Sequence, residues 1–230
     1  MPPKPRPSPK TGLQPPQLPK LAMAEALPGE KLLDQAQYAQ LALSGYNLAE
    51  QAAHQTLFEQ VLFKRVNLSR TCLPRVEWRD ARLEACDLSG VEWENARLRR
   101  VELIGCRLVG AKLLDASLED VLIRNCEGDL ALFWSAIFKV ARFEHSRLRE
   151  ASFIKADLSG VIFRDCDLSR ADLREAKLAG ADFRQSIIGG MQVGLRELQG
   201  AIIDPTQTAY VAGLAGLVIR DAEDTSTESP

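Results

Sequence analysis

From Phe58 onward, every fifth residue of this chain is large and apolar. The register Phe58, Phe63, Leu68, Leu73, Trp78, Leu83, Leu88 and Trp93 continues without a slip to Phe183 and Ile188. It holds 27 positions, of which 26 are Leu, Ile, Phe or Trp, and the one exception is Gly128. Two residues before each lies a small one: Thr56, Val61, Val66, Thr71, Val76, Ala81, Cys86 and onward, always Ala, Val, Cys, Ser or Thr. This is an internal repeat with a period of five, and it governs the fold of most of the chain. In an α-helix five residues rotate by about 500°, so the large side chains would spiral round the rod. In a flat strand an odd step sends alternate large residues to opposite faces. The pattern is satisfied if the chain turns a corner once per repeat, with one large and one small residue pointing inward and three outward on each side.

Units such as Ala156-Asp157-Leu158-Ser159-Gly160, Cys166-Asp167-Leu168-Ser169-Arg170 and Ala171-Asp172-Leu173-Arg174-Glu175 resemble the A-(D/N)-L-x-x units of pentapeptide-repeat proteins. The resemblance covers roughly two thirds of the chain. It implies an all-β fold, a right-handed quadrilateral β-helix with four pentapeptides per coil. The sequence supports a 20-residue coil independently. Cys86, Cys106, Cys126 and Cys166 differ by multiples of 20, with Ser146 and Ser186 completing one inner column, and Phe143, Phe163 and Phe183 form another. At about 4.8 Å per coil, seven or so coils make a rod roughly 35 Å long.

The repeat divides the chain. Residues 1–29 are expected to form a disordered tail; eight prolines lie in the first twenty residues, interleaved with Lys4, Arg6, Lys10 and Lys20. Residues 30–45 have helix-forming composition and are expected to cap the first coil. The β-helix is assigned to 46–203. Residues 204–220 then form a C-terminal cap or a dimerisation segment, and 221–230 an acidic disordered tail. Asp204-Pro205-Thr206-Gln207 reads as a helix start: an N-cap, Pro at the first helical position and Gln three residues on. The apolar stretch that follows resembles the segment through which some topoisomerase-directed members of the family dimerise. That resemblance implies a homodimer interface containing Tyr210, Val211, Leu214, Leu217 and Ile219. The other reading is an intramolecular cap over the last coil, which a solenoid requires in any case.

The same resemblance implies a protein partner, DNA gyrase or topoisomerase IV, as bound by quinolone-resistance (Qnr-type) members. The mechanism proposed for some of them, an acidic rod that mimics duplex DNA, finds no support in these residues. Residues 56–205 carry 23 basic and 23 acidic side chains, and no face is more than one charge from neutral. A DNA mimic needs a field of one sign. Loop insertions, on which some Qnr-type members depend, are also lacking. Charges 20 residues apart alternate instead, as in Arg107, Glu127, Arg147 and Asp167, in Asp157, Lys177 and Glu197, and in Asp80, Arg100 and Asp120. Opposite charges on neighbouring strands are mildly favourable. The basic run Arg97–Arg100 is therefore expected to pair with Glu77, Glu119, Asp80 and Asp120 rather than with nucleic acid.

One outer region is apolar. Leu114, Trp134 and Ile154 are 20 apart, with Leu130, Leu132, Ile137 and Val140 nearby, all around Gly128. Leu130 could swing inward to fill the space over Gly128. The rest of the patch reads as a contact surface for a partner, or as a surface covered by the N-terminal segment.

Catalysis is not expected. His54 and His145, the only histidines, share no face register, and neither a phosphate loop nor metal-ligand spacing is present. No cofactor or metal is implied. Four of the five cysteines fall at small inward positions, where Cys is a compact apolar filler. Cys86 and Cys106 could approach disulfide Cα spacing, but reduced thiols are expected. No run is long and apolar enough for a membrane span, and no secretory leader is recognised. The expectation is a cytoplasmic, non-catalytic, protein-binding solenoid, either directed at a type II topoisomerase or serving as a generic scaffold that docks through the apolar patch or the Pro-rich tail.

Overall fold

The computed structural model describes residues 12–19, residue 27 and residues 31–219. The acidic tail at 221–230 and most of the proline-rich tail lie outside the described residues.

The chain is a parallel β-solenoid with a 20-residue coil. Strands β1 (Gln37–Ala39), β2 (Ala42–Ser44), β3 (Leu57–Lys64), β4 (Glu77–Glu84), β5 (Arg97–Ile104), β6 (Ser117–Arg124), β7 (Ile137–Glu144) and β8 (Ile162–Arg164) stack in the order β1-β3-β4-β5-β6-β7-β8, with β2 also on β3. Each pairing is parallel and shifted by 20, as in Phe58↔Trp78 and Trp78↔Leu98. Isolated bridges such as Cys72↔Glu92 and Leu132↔Ser152 continue the ladder on the other sides.

The five-residue period has a backbone cause. Every fifth residue from Gln35 to Gly190 has positive φ, between 49° and 75°, whatever its side chain. That left-handed residue turns each corner. The left-handed region is unfavourable for a non-glycine residue in isolation. Here the ladder bonds from coil to coil hold it, as in Arg65 N–H to Glu84 O at 2.9 Å and Asn95 N–H to Leu114 O at 2.8 Å.

Inside, the large residues stack on their counterparts one coil away. Tyr38, Phe58 and Trp78 stack at 5.3 and 4.2 Å, and Phe143, Phe163 and Phe183 at 4.9 and 5.2 Å. The cysteine column is buried, with no disulfide. The Cys86, Cys106 and Cys126 thiols donate to carbonyls of the preceding coil, such as Cys106 Sγ to Leu83 O at 3.3 Å, and Cys166 Sγ donates to Arg164 O at 3.4 Å. Cys126 Sγ and Ser146 Oγ accept the amides of Cys106 and Cys126 at 3.3 and 3.1 Å.

Three expectations are corrected. Among the described residues no helix covers the first coil: 31–45 hold β1 and β2, and the corner pattern is present from Gln35, so coiling starts before Tyr46. Tyr38, Leu43 and Leu48 are buried in the inner register. Leu130 does not swing inward, because it occupies a corner with φ 59° and is 52% exposed. The space over Gly128 is taken by Leu148 of the next coil, whose Cδ2 lies 2.9 Å from where a Gly128 Cβ would stand. Finally, residues 12–19 are not a free tail. They lie against the coil, where Asp80 and Asp120 accept the Gln17 and Gln14 amides.

At the C-terminus the predicted capping box forms. Asp204 accepts the Thr206 amide, and Gln207 Oε1 accepts the Asp204 amide at 3.0 Å. A short 3-10 turn (Pro205–Gln207) leads into helix α1 (Thr208–Leu214). The buried Gln207 amide donates to Phe183 O at 2.7 Å and to Ser186 O at 2.6 Å, groups that a further coil would otherwise satisfy.

Candidate interaction surfaces

Because the inner column is filled, the surface is built from outward residues on four faces. Residues 131–134 and their counterparts in other coils make one face, and Trp134 projects from it. The Trp134 ring is 45% exposed and is held against the next coil by a 2.6 Å hydrogen bond from its Nε1 to Ser152 Oγ. Leu114, Leu132 and Ile154 are half-buried around it, while Leu130 and Ile137 are exposed at and just past the flanking corners. The 20-residue coil stacks Leu114, Trp134 and Ile154 in successive coils, with Leu132 on the same face, Leu130 at one of its corners and Ile137 just past the other. Residues 12–19, which run beside Asp80 and Asp120, lie at the corner diagonally across the coil from Leu130 and do not cover this patch.

The charges around the coil are largely paired. Lys112 reaches Glu92 at 2.7 Å, one coil below Leu132 on the Trp134 face. That hydrogen bond holds the Glu92 carboxyl below the usual carboxylate range and raises Lys112. Cys72, next in the column, is half-buried, and its thiol is pushed up by burial and by Glu92. The alternating ladders form in part. Arg147 meets Glu127 at 3.6 Å and Lys177 meets Asp157 at 3.4 Å. Other pairs run diagonally or along one strand, such as Arg149–Asp167 at 2.5 Å and Arg174–Asp172 at 2.6 Å. In the Arg97–Arg100 run, Arg97 pairs with Glu77 at 3.1 Å, and Arg100 grips Asp80 through two 2.6 Å hydrogen bonds. Arg99 sits beside Glu119 in the ladder without an ion pair. An open groove of about 700 Å³ near this run is lined by Gln55, Arg75, Glu77, Arg79, Asn95 and Arg97. Its Glu77 is already shared between Arg79 and Arg97. Among the described residues, no three His, Cys, Asp or Glu side chains converge as metal ligands, and no helix is long and apolar enough to cross a membrane.

The C-terminal residues divide. Tyr210 and Leu214 pack on the last coils, and the Tyr210 hydroxyl donates to Met191 O. Val211 is half-buried, and Leu217, Val218 and Ile219 are 64, 78 and 60% exposed.

The N-terminal segment was expected, if it docked at all, over the Trp134 patch; residues 12–19 instead meet the Asp80–Asp120 corner, for which the sequence carries no signal.

Residues 76–153 match the family model for a pentapeptide repeat region, and residues 166–188 match that for pentapeptide repeats. No curated protein matches in sequence. Among solved structures, a trypsin-treated form of QnrB1, a plasmid-mediated fluoroquinolone resistance protein, aligns over 80% of this chain and 99% of its own, with TM-score 0.61 and 21% identity. HetL, a pentapeptide repeat protein involved in heterocyst differentiation regulation in the cyanobacterium Nostoc sp. strain PCC 7120, aligns over 74% of this chain and 90% of its own, with TM-score 0.28 and 22% identity.

Proposed function

Since the chain belongs to the pentapeptide-repeat family, we propose that it is a non-catalytic solenoid whose work is to bind another protein, and that the partner is DNA gyrase or a related type II topoisomerase such as topoisomerase IV. The observation that carries the reading is the uncovered patch centred on Trp134, a large aromatic pinned by Ser152 between Leu114 and Ile154. Rigid aromatic side chains surrounded by partly buried apolar neighbours are the usual anchors of protein interfaces. The neutral, internally paired surface argues against electrostatic DNA mimicry and against direct nucleic-acid binding, so partner affinity rests on shape and apolar contact. The exposed Leu217-Val218-Ile219 edge supports a homodimer through the C-terminus, while Tyr210 and Leu214 serve the cap.

The experiment is a supercoiling assay of gyrase with and without a quinolone, joined to affinity measurements across a salt series for wild type and Trp134→Ala. Charges exposed to solvent are screened within about 10 Å at 0.1 M salt. Binding through Trp134 should therefore change little with salt and weaken by at least tenfold in Trp134→Ala. Steep salt dependence without an effect of the substitution would reject the patch. No binding to a topoisomerase under any condition would reject that partner and leave the generic scaffold.

A further inference from the structure

The segment Gly12–Pro19 runs along the rod axis, across the coils, at the corner formed by Gln60, Asp80, Arg100 and Asp120. Gln17 N–H meets Asp80 Oδ1 at 2.8 Å and Gln14 N–H meets Asp120 Oδ1 at 3.1 Å. Gln60 Nε2 donates to Gln17 O at 3.3 Å. The spacing has a physical basis. Asp80 and Asp120 are two coils apart, which is about 9.6 Å. Three residues of polyproline II span about 9.3 Å, and the helix repeats every three residues. Two N–H groups three residues apart thus meet carboxylates two coils apart without strain. Arg100, on the coil between, holds Asp80 in a fork and keeps the column from being a run of bare anions.

Leu13, Pro16, Leu18 and Pro19 are half-buried, while Gln14, Pro15 and Gln17 are exposed, so the segment rests on the solenoid along its length. The prolines carry no N–H to leave unsatisfied. On the solenoid side, Asp80 and Asp120 are buried. The column thus combines two carboxylate acceptors at polyproline spacing with a side-chain amide donor. It reads the backbone of an extended peptide, and a preformed polyproline helix is bound at low entropic cost.

We propose that the Gln60–Asp80–Arg100–Asp120 corner is a docking site for an extended, proline-rich peptide with backbone N–H groups three residues apart, that Gly12–Pro19 is its resident occupant, and that a partner's segment of the same chemistry exchanges with it. This edge is separate from the Trp134 face, so the proposal stands whether or not a topoisomerase is the partner.

The test uses the full chain. Gln14→Pro together with Gln17→Pro removes the two donors and preserves polyproline geometry, whereas Gln14→Ala with Gln17→Ala keeps both amides. Two readouts apply: the backbone order of the Leu13 and Leu18 amides from 15N relaxation, and binding of a fluorescent peptide spanning Gly12–Pro19. The expected result is a fall of that order parameter to the flexible range, below about 0.6, and at least tenfold tighter peptide binding for the proline pair, with the alanine pair like wild type. Peptide binding to the proline pair should fall at least tenfold when Asp80→Ala and Asp120→Ala are added. Unchanged order in the proline pair would show that these amides do not hold the segment, and the proposal would fail. Loss of order with no gain in peptide binding would also overturn it, leaving the contact as intramolecular packing only. Equal peptide binding by all variants would overturn it as well, because the corner would then not be the site.

Discussion

Leu148 occupies the volume that the side chain of Gly128 would fill. Its Cδ2 is 2.9 Å from the position of a Gly128 Cβ, and Arg147 O is 3.4 Å away. The one break in the large-residue register is thus repaired from the coil above. Gly128→Leu should destabilise the protein by about 1–3 kcal/mol through overpacking. Adding Leu148→Ala to that variant should restore part of the loss, although Leu148→Ala alone costs about 2–5 kcal/mol. Urea unfolding of the three variants checks this. Additive losses in the double variant would show that the two residues do not share one space.

The thiols should label in two classes. Cys86, Cys106, Cys126 and Cys166 are buried, and Cys72 is half-buried on an outer face. Burial pushes the Cys166 thiol up to about 11, so little thiolate is available there at neutral pH. A thiol reagent at pH 8 should modify Cys72 in the native protein and all five only after unfolding. Because burial and Glu92 also raise Cys72, its labelling should be slower than that of a free thiol and should accelerate in Cys72-containing Glu92→Gln. Immediate reaction of all five in the native protein would contradict the inner column.

Asp80 ties the solenoid to its N-terminal segment, and its titration gives a pH dependence. Burial raises its pKa, but the Arg100 fork, the Gln17 amide and the charges of Arg100 and Arg99 outweigh burial and hold it below the usual carboxylate range. A depressed folded pKa contributes stability fully above the unfolded value of about 3.9 and loses it as pH falls through the folded value. Stability should therefore drop below about pH 4, with the backbone order of Leu13 and Leu18 falling in the same window. Asp80→Ala should cost about 3 kcal/mol at pH 6, since Arg100 is left without its main partner, and should flatten the acid limb measured by urea melts.

The two ends of the C-terminal segment should separate by mutation. Gln207→Ala removes two buried hydrogen bonds to Phe183 O and Ser186 O and should cost about 1–3 kcal/mol without changing the oligomeric state. Replacing exposed Leu217, Val218 and Ile219 with Ser should leave the melt in place and convert a dimer to a monomer in light scattering. A wild-type monomer would sink the dimer.

The coil was legible because each inner position is selected separately. A backbone corner every five residues forces the size rule, and the rule can be read from Phe58 to Ile188. Its start was hidden because Ala53, Gln51 and Tyr46 break the size rule while the corners at Gln35, Gln40, Gly45 and Glu50 continue beneath them. The filling of Gly128 was misjudged for a related reason. Leu130 is near in sequence but fixed at a corner, whereas Leu148 is 20 residues away and directly above. The stacking of Leu114, Trp134 and Ile154 was legible because outward residues inherit the 20-residue repeat. The N-terminal contact was not, because composition describes how Gly12–Pro19 bends and carries no record of a carboxylate more than a hundred residues later.

That separation has a consequence for the order of assembly. Ladder bonds in this solenoid close loops of about one coil, and β3 finds β4 only 20 residues on. The Gln17–Asp80 and Gln14–Asp120 contacts close spans of 63 and 106 residues. Contacts between distant residues carry the larger closure cost and form late. During synthesis the proline-rich segment leaves the ribosome before the coils yet has no complete site until Asp120 has emerged and its coil has closed. The nascent rod is thus expected to pass through a stage in which its coils are built and its corner is vacant, an interval set by translation rather than by the affinity of the finished contact.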